Sequence, residues 1–137
     1  KLVECHWPYD HPVEVLRDTL ARAGQQLVMV NTAPGNVEQG DFGLAAMPGR
    51  EADFQAAFDQ ALHYVRELGA TRIHCMAGKV PVTAASQRCF VDNLRQAADK
   101  VVFLADGQIV ETNTPNQFFA NPQSDRAKDF LSKILTH

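Results

Sequence analysis

Three short apolar runs, each followed by a stretch of helical period, constrain this chain more than any other feature. The first run, LVECHW at 2–7, alternates its side chains. Val3, Cys5 and Trp7 share one face, and Leu2, Glu4 and His6 share the other. Asp10 is placed to cap a helix whose first turn holds Pro12, with Val13, Leu16 and Leu20 at helical spacing and Gly24 as its stop. QLVMVN at 26–31 is a continuous apolar run, the pattern of a strand covered on both faces. A loop at 32–49 follows, with four glycines and two prolines, and a loop of that length in a small domain is commonly functional. Residues 50–68 form the clearest helix, with Phe54, Ala57, Phe58, Ala61, Leu62 and Val65 on one stripe. TRIHCMAG at 71–78 is the third strand, and 82–99 the third helix. This order predicts right-handed crossovers and a parallel sheet.

The pattern changes at Lys100. KVVFLADGQIVET is two apolar runs around Asp106-Gly107, a type I′ hairpin signal where a βα repeat calls for a helix. Thr114 or Asn113 then caps a short helix near Pro115, and Asn121-Pro122 breaks it. Residues 124–135 form a last amphipathic helix with Ala127, Phe130, Leu131 and Ile134 inward. The expected fold is α/β: a partial TIM barrel of βα units with a parallel sheet, then a β-hairpin and C-terminal helices. Strand 100–104 is expected to join strands 2–7, 26–31 and 72–76, its hairpin mate 108–111 adding antiparallel.

The 137 residues suit a single α/β domain, 1–137. At 45% hydrophobic and 21% charged the chain is globular rather than disordered. A net charge of −3 without a basic cluster argues against nucleic acid or an anionic membrane as partner. No apolar run nears the roughly 20 residues of a membrane span. Cys5, Cys75 and Cys89 are an odd set without CxxC spacing, which fits a reducing cytoplasm better than a disulfide framework or zinc site. The chain opens at Lys1 in a strand-like run with no signal-peptide pattern, as expected of a segment trimmed or excised from a longer one.

Residues 1–99 resemble hydroxypyruvate isomerase and related xylose-isomerase-like barrel enzymes. The carrying stretches are VECHWPY at 3–9, VNTAPGNVEQGDFGLAAMPGRE at 30–51, IHCMAGKVP at 73–81 and FVDNLRQAAD at 90–99. The resemblance implies the second to fourth strand–helix units of such a barrel. Residues from about 97 to 137 resemble the C-terminal end of a polar amino acid ABC transporter ATP-binding subunit. ADKVVFLADGQIVE and TPNQFFANPQSDRAKDFLSKIL carry that likeness. The two overlap at Ala98-Asp99, so the sequence reads as a chimera joined at a helix-to-strand boundary.

The isomerase family moves a proton between adjacent carbons with carboxylates and a divalent metal. The resemblance places those groups on later strands that this sequence lacks. The expectation is therefore a folded chimera without native catalysis. If active, it is an intramolecular oxidoreductase of the aldose–ketose isomerase type. The candidates that remain are Glu4 and His74 as catalytic groups, Glu4, His6 and His74 as ligands of a divalent metal, and Asn31 and Arg50 as substrate contacts. Arg50, at a helix start, could meet a carboxylate or phosphate, which makes a binding module built on the 32–49 loop a further reading. Gly78-Lys79 is not a P-loop: Ile73 stands where a glycine is needed and Val80 where Ser or Thr should hold magnesium, so ATP is not an expected ligand. Cys75 and Cys89 read as buried structural thiols. A part-barrel leaves strand edges open, which predicts a homo-oligomer.

Overall fold

Strand β1 (Leu2–Cys5) pairs in parallel with β2 (Gln26–Asn31), and β2 with β3 (Arg72–His74), giving a sheet of order β1-β2-β3. The computed structural model describes residues 1–97, 101–105 and 108–135. They fall into two compact units, Lys1–Ala45 with Gly49–Lys79, and Ala46–Pro48 with the segment from Val80 onward.

In the first unit the β1/β2 register slips by one. Val3 faces Leu27, but Glu4 faces Met29, so Val28 is a bulge. The extra residue resets the alternation of β2. Leu27 and Val30 both turn to the core, joined by Val3, Cys5 and Ile73 from the neighbouring strands. Met29 and Asn31 take the opposite face. The expectation that β2 is covered on both faces gives way here: Val28 and Met29 are only half-buried.

Helices α1 (Val13–Arg22) and α2 (Glu51–Leu68) cover the core face and pack on each other, with Arg17 bridging to Glu67 at 3.2 Å. Ala61 and Val65 of α2 close the cluster. Each fully buried aliphatic side chain contributes about 1.5–3 kcal/mol there. Asp10 does not cap α1. PYD at Pro8–Asp10 forms a 3-10 turn, and Pro12 holds the N-cap position without a side-chain bond. Pro12 has no side chain that can cap, and its ψ of 139° leaves it just outside the helix. Gly69 ends α2 in the left-handed region, at φ 69°.

The second unit holds α3 (Ala84–Ala97), β4 (Val101–Ala105), β5 (Gln108–Asn113), α4 (Pro115–Ala120) and α5 (Asp125–Leu135). β4 and β5 pair antiparallel in a two-stranded sheet of their own. Among the described residues β4 pairs with β5 and not with the parallel sheet as expected, since the strand next to it in sequence is reached at the lower cost in loop entropy. The Asp106-Gly107 turn and the Ala98-Asp99 dipeptide lie outside the described residues. Thr83 and Ser86 cap α3 reciprocally, and Thr114, rather than Asn113, caps α4 through the Gln117 N–H at 3.3 Å. Val91, Phe118, Phe119, Ala127 and Leu131 form this unit's core. Phe130, expected inward, is 40% exposed. The Glu111 carboxylate accepts N–H groups from Gln123 and Ser124 at 2.8–3.1 Å, tying β5 to the start of α5.

No helix among the described residues is long and apolar enough to cross a membrane.

Candidate functional site

The residues of interest gather where the parallel strands end. Asn31 closes β2 on the face opposite the core, paired in register with His74 of β3. Its Oδ1 lies 3.3 Å from His74 Nδ1, and its Nδ2 lies 3.8 Å from Met76 Sδ. With the amide in this orientation Asn31 Oδ1 accepts from His74 Nδ1, and the neutral tautomer that makes this bond has Nε2 as an acceptor on an exposed ring. Asn31 itself is 7% exposed.

The backbone around it is tightly held. The Asn31 N–H donates to the His6 carbonyl at 3.0 Å, extending the β1/β2 pairing past Cys5. The Tyr9 hydroxyl donates to the Asn31 carbonyl. Burial, with the neighbouring Cys5, Tyr64 and Cys75, pushes the Tyr9 phenol well above its ordinary range, so it stays a neutral donor. Thr32 N–H donates to the His74 carbonyl at 2.9 Å, and Thr32 Oγ1 accepts the Met76 N–H at 3.2 Å. The Met76 carbonyl in turn takes the N–H groups of Leu44 and Ala45. Gly43 sits against that carbonyl at φ 118° and bridges to Ala77, so the long loop is docked on the strand end.

Of the candidates read from the sequence, the structure brings Asn31 and His74 together and sets His6 beside Asn31 through the main chain. Glu4 lies one pleat back, in the row with Met29 and Arg72. Among the described residues no three His, Cys, Asp or Glu side chains group in a way that could hold a metal, so Glu4, His6 and His74 do not form one ligand set. Arg50 lies apart, in an open groove of about 870 Å³ between the long loop and α2. Its guanidinium bonds Asp53 and lies 3.3 Å from Asp41, whose Oδ2 also takes the Asn36 N–H. The Asp53 hydrogen bond first, and then the Asp41 charge, raise the Arg50 pKa further. That cation is committed to protein carboxylates. Burial pushes the Cys75 thiol up to about 12, which makes it a poor nucleophile.

Sequence reasoning missed Tyr9, Thr32 and Met76. Tyr9 stands in the VECHWPY stretch, and Thr32 directly follows Asn31, but their partners are distant in sequence.

The pattern of the family described as xylose isomerase-like TIM barrel matches residues 1–134. The chain belongs to that family. A human relative of the hydroxypyruvate isomerase type is 39% identical over 144 aligned residues, covering 96% of this chain and 51% of the relative. The 2-oxo-tetronate isomerase of Haemophilus influenzae is 41% identical, over 73% of this chain and 40% of its own. The crystal structure of an AP endonuclease, family 2, from Brucella melitensis superimposes with a TM-score of 0.67 at 35% identity, covering 72% of this chain and 39% of that one. The chain spans about half the length of the curated relatives it matches first. Asn31 and His74 thus sit at the C-terminal strand ends of a xylose-isomerase-like barrel segment, the edge on which TIM barrels build their sites.

Proposed function

We propose that this chain supplies the substrate-positioning ledge of an isomerase acting on short hydroxylated 2-oxo acids, the class named in its hydroxypyruvate and 2-oxo-tetronate isomerase relatives. The hydrogen bond between Asn31 and His74 carries the reading. An aldose–ketose isomerisation moves a proton between neighbouring carbons, so the site must grip a carbonyl oxygen and an adjacent hydroxyl. Among the described residues Asn31 Nδ2 meets the weakly accepting Met76 sulfur alone and can exchange it for the stronger carbonyl oxygen. His74 Nε2 accepts from the hydroxyl. The two groups are fixed relative to each other by their own bond, which is the preorganisation such a contact needs.

Divalent-metal chemistry is what the family resemblance implies, and the described side chains do not fit an ion. No step here runs through one. Among the described residues His74 belongs to no group of three His, Cys, Asp or Glu side chains, and we propose that the chain alone binds without turning substrate over. Residues from about 97 onward are, in the same reading, a segment of separate origin resembling an ABC ATP-binding subunit tail. The family match runs through this segment to residue 134 and gives that origin no support. No nucleotide role is proposed for it.

Proton NMR of the chain with hydroxypyruvate tests the function. The expected result is a shift of the Asn31 side-chain amide and the His74 ring, with no growth of the isomer's aldehyde proton above buffer. Turnover that disappears in His74→Ala would overturn the non-catalytic half of the proposal. Unmoved Asn31 and His74 signals would overturn all of it.

A further inference from the structure

The same edge carries a cation that the ledge does not use. Lys79 follows β3 by a few residues, and its Nζ lies 5.1 Å from the centroid of the Phe42 ring. Phe42 immediately precedes Gly43, which bridges to Ala77 against Met76. The ammonium is thus pinned over an aromatic face rather than left to sweep through solvent. Among the described residues Lys79 has no carboxylate partner, unlike Arg50. Phe42 also meets Trp7, which follows His6 at the end of β1. The two rings meet edge-on with centroids 5.9 Å apart. Trp7 Nε1 is buried and has no hydrogen-bond partner among the described residues. A buried donor without an acceptor is costly, and it gains from any acceptor that reaches it.

We infer that Lys79, held by Phe42 beside Trp7, is the carboxylate-recognition residue of this site. The inference rests on the function proposed above and names what that function left open: which group tells a 2-oxo acid from a neutral hydroxy-ketone. Asn31 and His74 address only the carbonyl and hydroxyl oxygens, and they are the same in both. The acid differs by one negative charge, and one lysine is a point charge that matches a monoanion. The guanidinium of Arg50, beside the long loop, is already held by Asp41 and Asp53. The contacts that fix Lys79 run through Phe42, Gly43 and Met76 to Asn31, so the charge and the ledge share one scaffold.

The test compares hydroxypyruvate with dihydroxyacetone, its neutral hydroxy-ketone counterpart, by NMR titration of the full chain. Lys79 is exposed, so Lys79→Met leaves the core untouched. Lys79→Met is expected to weaken hydroxypyruvate binding about tenfold, the value of one charge-assisted contact, while dihydroxyacetone binding stays as in the parent chain. Lys79→Arg restores most of the loss, because the charge returns. Equal hydroxypyruvate affinity in Lys79→Met and parent overturns the inference, as does an equal loss for both ligands. A parent chain that binds neither ligand fails earlier, at the function itself, and the two failures are told apart by that arm.

Discussion

Asn31 acts through what surrounds it. Its N–H, carbonyl and amide are each engaged by a different stretch of chain: the His6 carbonyl, the Tyr9 hydroxyl, and His74 with Met76. Gly43 is the least replaceable member of this arrangement. A Cβ added there would stand 2.5 Å from the Met76 carbonyl oxygen, on a backbone at φ 118°. The clashing atom is main chain and cannot rotate away. Gly43→Ala is expected to cost roughly 1–3 kcal/mol and to disturb the Asn31 amide signal at the same time. Chemical denaturation together with NMR of the amide checks this, and an unchanged midpoint would contradict it. At this scale the sequence shows Asn31 because it ends an apolar run, and His74 because it is a polar group within the third strand. Tyr9 and Met76 are silent, since a tyrosine in a turn and a methionine after a strand look the same whether or not they touch a distant asparagine.

The elements show how local signals are overridden. Helix α2 is legible almost to the residue, because its apolar stripe, its first-turn acids and the glycine after it agree. The bulge at Val28 is invisible in QLVMVN, where any of the apolar residues could be the extra one. In the second unit, Glu111 ties β5 to α5. Burial works against its charge, but the Gln123 and Ser124 N–H groups, with the side chains of Ser124 and Asn113, hold its pKa below the ordinary value. A carboxylate depressed in the folded state stabilises above its unfolded pKa, and that contribution fades as pH falls through the folded value. The tie is therefore intact at neutral pH and weakens as pH drops below about 4.5. Glu111→Gln is expected to lower stability at pH 7 by about 2 kcal/mol and to flatten the acid limb of its pH dependence. Denaturation at pH 7 and pH 4 measures both; a variant as stable as the parent at pH 7 would remove the tie from the account.

For the molecule as a whole, pairing is what the sequence left open. The hairpin was legible from its two apolar runs, but not that it keeps to itself. Which strands meet across long separations depends on docking of whole units, not on local period. Among the described residues β1 and β3 of the parallel sheet each pair with β2 alone, and Leu2 on β1 is 70% exposed. Open edges and an uncovered apolar residue favour association with another chain, and we propose that this chain forms a homo-oligomer through that sheet. Size-exclusion chromatography with light scattering decides it, and a monomer mass at high concentration would falsify the proposal.

The bulge at Val28 has a consequence for how this site can change by mutation. One surplus residue sits earlier in the strand that ends at Asn31. Deleting one residue of 27–30 takes out the surplus and restores plain alternation, with Val30 still toward the helices and Asn31 still on the ledge. The bulge is thus a point of slack: β2 can lose a codon there and keep both faces in place.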